Sequence, residues 1–173
     1  MIDTVPSSPA VEPPRSAAAA EADDTRSALI RAGIELFGRQ GFDGTSTREI
    51  ARSAGVNIAG IAYHFGGKAG LHRACGEAIA AIIVERIGSL NLPDGAIEAM
   101  APEAAEDMVV AAVTGLGRFM LGRPEAEAIA RFMVREQMDP SATFTIIYES
   151  LIRPRHERMC RLWGRAVGED PKS

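Results

Sequence analysis

The stretch Thr45-Ser46-Thr47-Arg48-Glu49-Ile50-Ala51-Arg52-Ser53-Ala54-Gly55-Val56-Asn57-Ile58-Ala59-Gly60-Ile61-Ala62-Tyr63-His64-Phe65 decides the reading of the fold. It predicts two short helices joined by a glycine turn. Ser46 stands three residues before Glu49, the spacing at which a serine caps a helix start while the glutamate reaches back to the serine's backbone. Ile50 and Ala54 share the inward face of that helix. Gly55 supplies the open conformation that ends it, and Val56 packs into the corner. Asn57 caps the second helix, and Ile61 and Phe65, four apart, anchor it to a core. Such a pair places the start of its second helix in a DNA major groove.

Outward from this stretch the chain reads as helix. Leu29, Ala32, Gly33, Leu36 and Phe37 form an apolar stripe from Asp24 or Thr25 to Gly41, after which Phe42 tucks back. Residues 1–24, with Pro6, Pro9, Pro13 and Pro14 among Ser and Ala, lack that period and are expected to form a disordered tail. A long helix is expected from about Gly67 to Gly88, with Leu71, Cys75, Ile79, Ile82, Ile83 and Ile87 inward, before Asn91, Pro93, Asp94 and Gly95 break the chain. Further helices are expected over 102–121, 124–138 and 141–167. Arg123-Pro124 and Asp139-Pro140 mark boundaries, because the residue before proline disfavours helix, and Pro154 should kink the last one. No strand-like alternation of useful length occurs. The expected fold class is all-α, with a helix-turn-helix three-helix module over 25–66 joined by the long helix (about 67–88) to a second helical domain within 67–173.

A chain of 173 residues with 46% apolar and 5% aromatic residues suits a helical core built from Ala, Ile, Leu and Met. The formal charge of −4 argues against general nucleic-acid affinity, yet it hides an asymmetry. Residues 26–73 carry seven Lys or Arg against three acidic residues, whereas residues 74–173 carry eleven against fifteen. A basic head on an acidic body is the balance of a DNA reader with a separate control domain. Cys75 and Cys160 are too few for a disulfide framework and match no zinc spacing, so both are read as reduced thiols. Ala17 to Ala20 is followed at once by Glu21, which fits neither a signal peptide nor a membrane span, so the cytoplasm is the expected location.

Over residues 25–73 the chain resembles the TetR family of bacterial one-component regulators. Leu36-Phe37, Gly41-Phe42, Thr45-Ser46, Ile50-Ala51, Ala54-Gly55-Val56, Tyr63-His64-Phe65, Lys68 and Leu71 carry the match. Val56 to Ala59 and Ile61 to Lys68 look like its CecR-like branch. So do Arg135 to Pro140, Ile147-Tyr148-Glu149 and Arg153-Pro154 in what would be the effector domain. The resemblance implies an effector-binding and dimerisation role for the second domain, a double-stranded DNA operator and a homodimer. It also implies a small-molecule effector, expected to be apolar or amphipathic. Carried over by position, Arg48 is the base contact, able to fork onto guanine. Ile58 and Ala59 occupy base-facing positions, where apolar side chains read only thymine methyls or shape. Thr47, Gly60, Tyr63, His64 and Lys68 match the family's phosphate clamp, and Asn57 heads the same helix. A packing role for Tyr63, a cap or core role for His64 and a solvated charge for Lys68 stay open beside these. The family's dimer contacts come mainly from two further helices, usually following the segment that ends here near Gly168. The chain is therefore expected to be shortened, the alternative being a dimer made by the helix after Ser141.

An effector pocket needs an apolar cavity with a few placed polar groups. Candidate lining residues are Phe119, Met120, Phe132, Met133, Phe144, Ile147, Tyr148, Met159 and Trp163, although residues at such spacing more often fill a core. Ile129, Phe132 and Met133 set a buried face on which Glu136 falls, and a carboxylate there needs a partner. On the next helix Phe144, Tyr148 and Leu151 set a face that brings in Arg155, then Arg158. Glu136 is expected to pair with one of these, either as a fixed tie or as a ligand anchor. His156 and Cys160 mimic half of a metal site without a third ligand, so neither metal nor cofactor is expected. No phosphate loop, dinucleotide fingerprint or nucleophile set is found, and an enzyme is not expected. A DNA-binding regulator without a small-molecule effector, controlled by a partner or by its own abundance, is the second reading.

Overall fold

The computed structural model of the chain describes residues 17–87, 92–93, 95–122 and 124–168, and they form an all-helical fold. Helix α1, Ala17–Gly44, starts well ahead of the expected Asp24 or Thr25. The alanine-rich run before Glu21 favours helix strongly, so the expected tail gives way at Ala17; residues 1–16 lie outside the described ones. Gly41, at φ 78° and ψ 175°, breaks α1 before its last turn. The buried Thr45 hydroxyl then seals the break, 2.7 Å from the Gly41 carbonyl and 3.2 Å from that of Leu36.

Helix α2, Thr47–Ala54, opens on the Ser46 hydroxyl, which accepts from the Glu49 N–H at 3.2 Å. Only this half of the expected reciprocal cap forms. The Glu49 carboxylate turns to Gln40, whose side-chain nitrogen donates to it at 2.8 Å. Gly55 ends the helix in the left-handed region at φ 69°. Helix α3, Ala59–Phe65, begins where the Asn57 side-chain oxygen accepts from the Ala59 N–H at 2.9 Å. Helix α4, Lys68–Ile87, follows after Gly66 and Gly67; the Ile87 side chain lies outside the described residues.

Helices α5, Pro102–Gly122, and α6, Pro124–Met138, meet at the expected proline boundary. Helix α7, Ala142–Ile147, is capped by Ser141 and runs into a π turn, Tyr148–Ile152, and then α8, Arg153–Val167. The kink expected at Pro154 takes the form of this π turn. Proline has no N–H for the preceding turn and its ring crowds that turn's carbonyl. The chain widens ahead of it, so the Arg153 N–H bonds Tyr148 O, five residues back. The buried face of α7 also differs from expectation by one residue, since Thr143, Ile147 and Leu151 point inward in place of Phe144 and Tyr148.

One apolar core runs through both halves. It takes Leu29, Ile34 and Phe37 from α1, Ile50 from α2, Ile61 from α3 and Leu71, Cys75 and Ile79 from α4. Ile129 and Phe132 of α6, Ile147 of α7 and Leu151 of the π turn complete it. A second, smaller core joins Ile97 to Ala105 and Ala112 of α5 and Leu162 of α8. Where α4 crosses α7 the backbones approach closely, and a β-carbon on Gly76 would lie 2.4 Å from the Thr143 methyl. Gly76→Ala is expected to cost about 1–3 kcal/mol through overpacking. Gly115→Ala, in helix with nothing within 4 Å of its added carbon, is expected to stabilise by about 0.5–1 kcal/mol. Urea unfolding of the two variants beside the parent checks both signs.

Candidate nucleic-acid interface

The α2–α3 pair separates buried residues on one side from exposed ones on the other. Ile50, Ala51 and Ile61 are buried, and Phe65 packs half-buried against the main core. On the other side Arg48, Asn57 and Ala59 are exposed, Ile58 is 44% exposed and Tyr63 is 83% exposed. Thr47, Gly60 and His64 are partly exposed at its edges. The Tyr63 ring meets the edge of His64 at 4.9 Å, so it does not fill the core. Lys68, in the first turn of α4, holds its ammonium 4.4 Å from the centre of the Phe42 ring. Arg26 of α1, which no sequence signal singled out strongly, lies over Phe65 at 5.6 Å and adds a cation beside α3.

The residues expected to line an effector pocket have different surroundings. Phe119 and Phe132 are core residues, Met133 is half-buried against the core, and Trp163 is 58% exposed. Phe144 stacks on the exposed Tyr148 at 6.1 Å. A cleft of about 820 Å³ lies between the end of α1 and the α6–α7 corner, and Glu136 is the one candidate on its wall. Helical period tells which residues point inward but not which neighbour they meet.

The expected pairing of Glu136 with Arg155 or Arg158 is corrected in the same way. Glu136 is buried, at 5% exposure, but its carboxylate lies 3.4 Å from His72 Nε2 of α4 and accepts from the Ser141 hydroxyl at 2.6 Å. His72 Nδ1 is 2.9 Å from the Thr143 hydroxyl. Phe37, Phe42 and Phe132 enclose the imidazole, with ring centres 4.6, 5.1 and 5.0 Å away. Arg155 instead donates to the Val84 carbonyl in the last turn of α4, at 3.4 Å. Burial, with Arg158 beside it, lowers its pKa. His72 was legible in principle, since it neighbours Leu71 and precedes Cys75 by three on the inward side of α4.

Burial pushes the Cys75 thiol far above the ordinary range, leaving it unreactive. His156 and Cys160 approach to 3.8 Å, and among the described residues no group of three or more metal-ligating side chains forms. No described helix is long and apolar enough to cross a membrane.

A glycine-turned helix pair with an uncovered second helix, set on a helical body, defines a helix-turn-helix transcriptional regulator. Two family models match it. That of the bacterial regulatory proteins of the tetR family matches residues 29–75, and that of the C-terminal domain of the HTH-type transcriptional dual regulator CecR matches residues 105–173. The chain is 32% identical over 158 residues to the dual regulator CecR of Shigella flexneri, covering 86% of this chain and 67% of that protein. It is 30% identical over 126 residues to the uncharacterized regulator TtgW of Pseudomonas putida, covering 71% of this chain and 82% of the other. Among solved structures, a TetR-like transcriptional regulator from Rhodococcus sp. RHA1 has the same fold, with a TM-score of 0.65 at 19% identity over 86% of this chain and 74% of that one. The chain belongs to the TetR family, and its C-terminal half is similar to that of the CecR branch. It is a DNA-binding transcriptional regulator and not an enzyme.

The buried pair gives a pH dependence of known sign. Burial holds the His72 proton affinity below the ordinary histidine value; Glu136 opposes this and Lys68 adds to it. In the unfolded chain His72 takes up its proton near pH 6.5, while the folded chain does so only at lower pH. Stability is therefore expected to fall as pH drops from about 7 towards 5. Denaturant unfolding at several pH values checks this, and His72→Gln should show a shallower fall than the parent.

Proposed function

We propose that the chain is a repressor that binds a near-palindromic operator as a homodimer in the cytoplasm and is released by a small molecule. In this reading residues 25–66 form the DNA-binding domain, and residues 67–173 form the effector and dimerisation domain. The single observation that supports it most is the uncovered α2–α3 face, where Ile58 and Tyr63 stand free beside Arg48 while their neighbours are buried. Large apolar and aromatic groups left in water beside cations suit a groove wall of bases and phosphates. Arg48 reads a base edge, and Ile58 and Ala59 read thymine methyls or shape. Thr47, Asn57, Gly60, Tyr63, His64 and Lys68 hold the backbone.

One copy reads too little DNA for specificity, and a twofold dimer would hold two recognition helices roughly 34–36 Å apart. The exposed Val110, Val113, Leu116 and Met120 of α5, with Trp163 and Val167 of α8, support a covering partner copy. An effector that moved α4, which carries Lys68 and runs up into the effector half, would spoil the spacing. Its differential affinity for the two states need be only about 1–3 kcal/mol. The spread of the candidate pocket residues, from the buried Phe132 to the exposed Trp163, favours a second reading, regulation without a small-molecule effector.

The deciding experiment is binding to DNA from upstream of the protein's own gene, against scrambled DNA of equal length, across a salt series. Specific binding with a steep salt slope is expected, and equal weak binding to both sequences would sink the proposal. Lys68→Ala should weaken all sequences alike and reduce the salt slope by about one, whereas Arg48→Ala should cost about 1–3 kcal/mol and relax specificity at one base pair. Mass measurement in solution should give a dimer that Val113→Glu shifts towards monomer.

A further inference from the structure

The His72–Glu136 pair lies where α1, α4, α6 and α7 meet, and no role in the function above has been given to it. An imidazole and a carboxylate buried together are a poor choice for stability alone, because apolar side chains of similar shape are often as good or better. What they add is direction. The burial of Leu71 and Ile79 has no preferred direction of its own, whereas hydrogen bonds fall off steeply with angle. His72 hydrogen-bonds the Thr143 hydroxyl of α7 through Nδ1, which constrains the angle of the ring, while its Nε2 stands at ion-pair distance, 3.4 Å, from the Glu136 carboxylate of α6. Glu136 is itself held by Ser141, whose oxygen also accepts from the Thr143 N–H at 3.0 Å. The two groups that His72 meets, on α6 and α7, are thus tied to each other through Ser141.

Two unfilled spaces flank this joint. The cleft of about 820 Å³ is bordered by Glu136 and a second of about 440 Å³ by His72 and Thr143, and Phe42 and Ser141 line both. Lys68 precedes His72 by four residues, one turn of α4, and rests on the Phe42 ring that also contacts His72. A rotation of α4 that broke the joint would carry Lys68 with it. We propose that the His72–Glu136 pair, completed by Ser141 and Thr143, is a positioning element for DNA binding: it fixes the first turn of α4, and with it Lys68 and the α2–α3 face, against the effector half. This rests on the reading of Lys68 as a phosphate contact.

The joint also carries a proton link that a merely structural contact would lack. The charged groups acting on the imidazole are Glu136 of α6, which favours its protonated form, and Lys68 of its own helix, which opposes it; α1 and α7 present Phe37, Phe42 and Thr143. A phosphate at Lys68 offsets that opposing charge, so DNA binding draws a proton onto His72. Affinity then rises as pH falls.

The test uses the full chain and two measurements. Amide hydrogen exchange without DNA compares the parent with His72→Leu, His72→Gln and Glu136→Gln. Loss of protection by tenfold or more over α3 and the first turn of α4 is expected in His72→Leu, with α5 and α8 unchanged and His72→Gln retaining part of it. Should His72→Leu not fold, Glu136→Gln takes its place. Uniform loss, or none, would overturn the proposal. Binding to the upstream DNA is then followed from pH 7 to 5. A gain that sets in below about pH 6.5 and stays under tenfold per pH unit, the limit for one proton, should flatten when His72→Gln is added. An unchanged slope would overturn the link. If the parent does not discriminate its upstream DNA, the operator reading fails, while the exchange pattern still decides whether the joint fixes α4.

Discussion

The fold depends on α4 being packed on several sides at once. Its inner edge, from Leu71 through Cys75 to Ile79, meets α1 in front, α3 at its start, and α7 behind. The close crossing at Gly76 makes the last of these contacts possible. Because one core passes through both halves, the DNA-reading pair is not a bead on a string. Any change in how α4 lies against α6 and α7 has to be accommodated by α1 and α3 as well.

Much of this was legible in the sequence, for reasons that can be named. Ser46, Gly55 and Asn57 act through bonds to backbone within three residues of themselves, and local chemistry of that kind is independent of the rest of the chain. Leu71, Cys75 and Ile79 were legible because a long helix repeats its inward direction reliably. The misses share a different origin. Glu136 was placed inward correctly and given the wrong partner, since the choice between Arg155 and His72 depends on which helix crosses α6 at that height. Phe144 and Tyr148 were assigned to the buried face of a short helix, where an error of one residue in phase has no later turns to correct it. Helix α1 starts ahead of Asp24 because the alanines from Ala17 onward favour helix whatever the composition of the prolines before them.

The interface shows the same division. That Ile61 is buried and Tyr63 exposed accords with helical spacing. The parking of Lys68 on Phe42 does not follow from spacing, because it needs the chain reversal at Gly41 to bring an aromatic ring from α1 beneath the first turn of α4. A cation resting on a ring is held electrostatically by the ring face, so the Lys68 ammonium has a defined position at the start of α4.

The π turn over Tyr148–Ile152 has a consequence for how the two cores are joined. One residue of helix corresponds to about 100° of rotation, and an uninterrupted helix would bring Leu162 round to within about 20° of the direction of Leu151. The extra residue in the widened turn cancels that return. Leu151 therefore closes the core shared with the DNA-reading half, while Leu162 faces a different neighbour and closes the one built on α5. A single proline, by forcing that local widening, acts as a gear between two packing directions along one continuous rod.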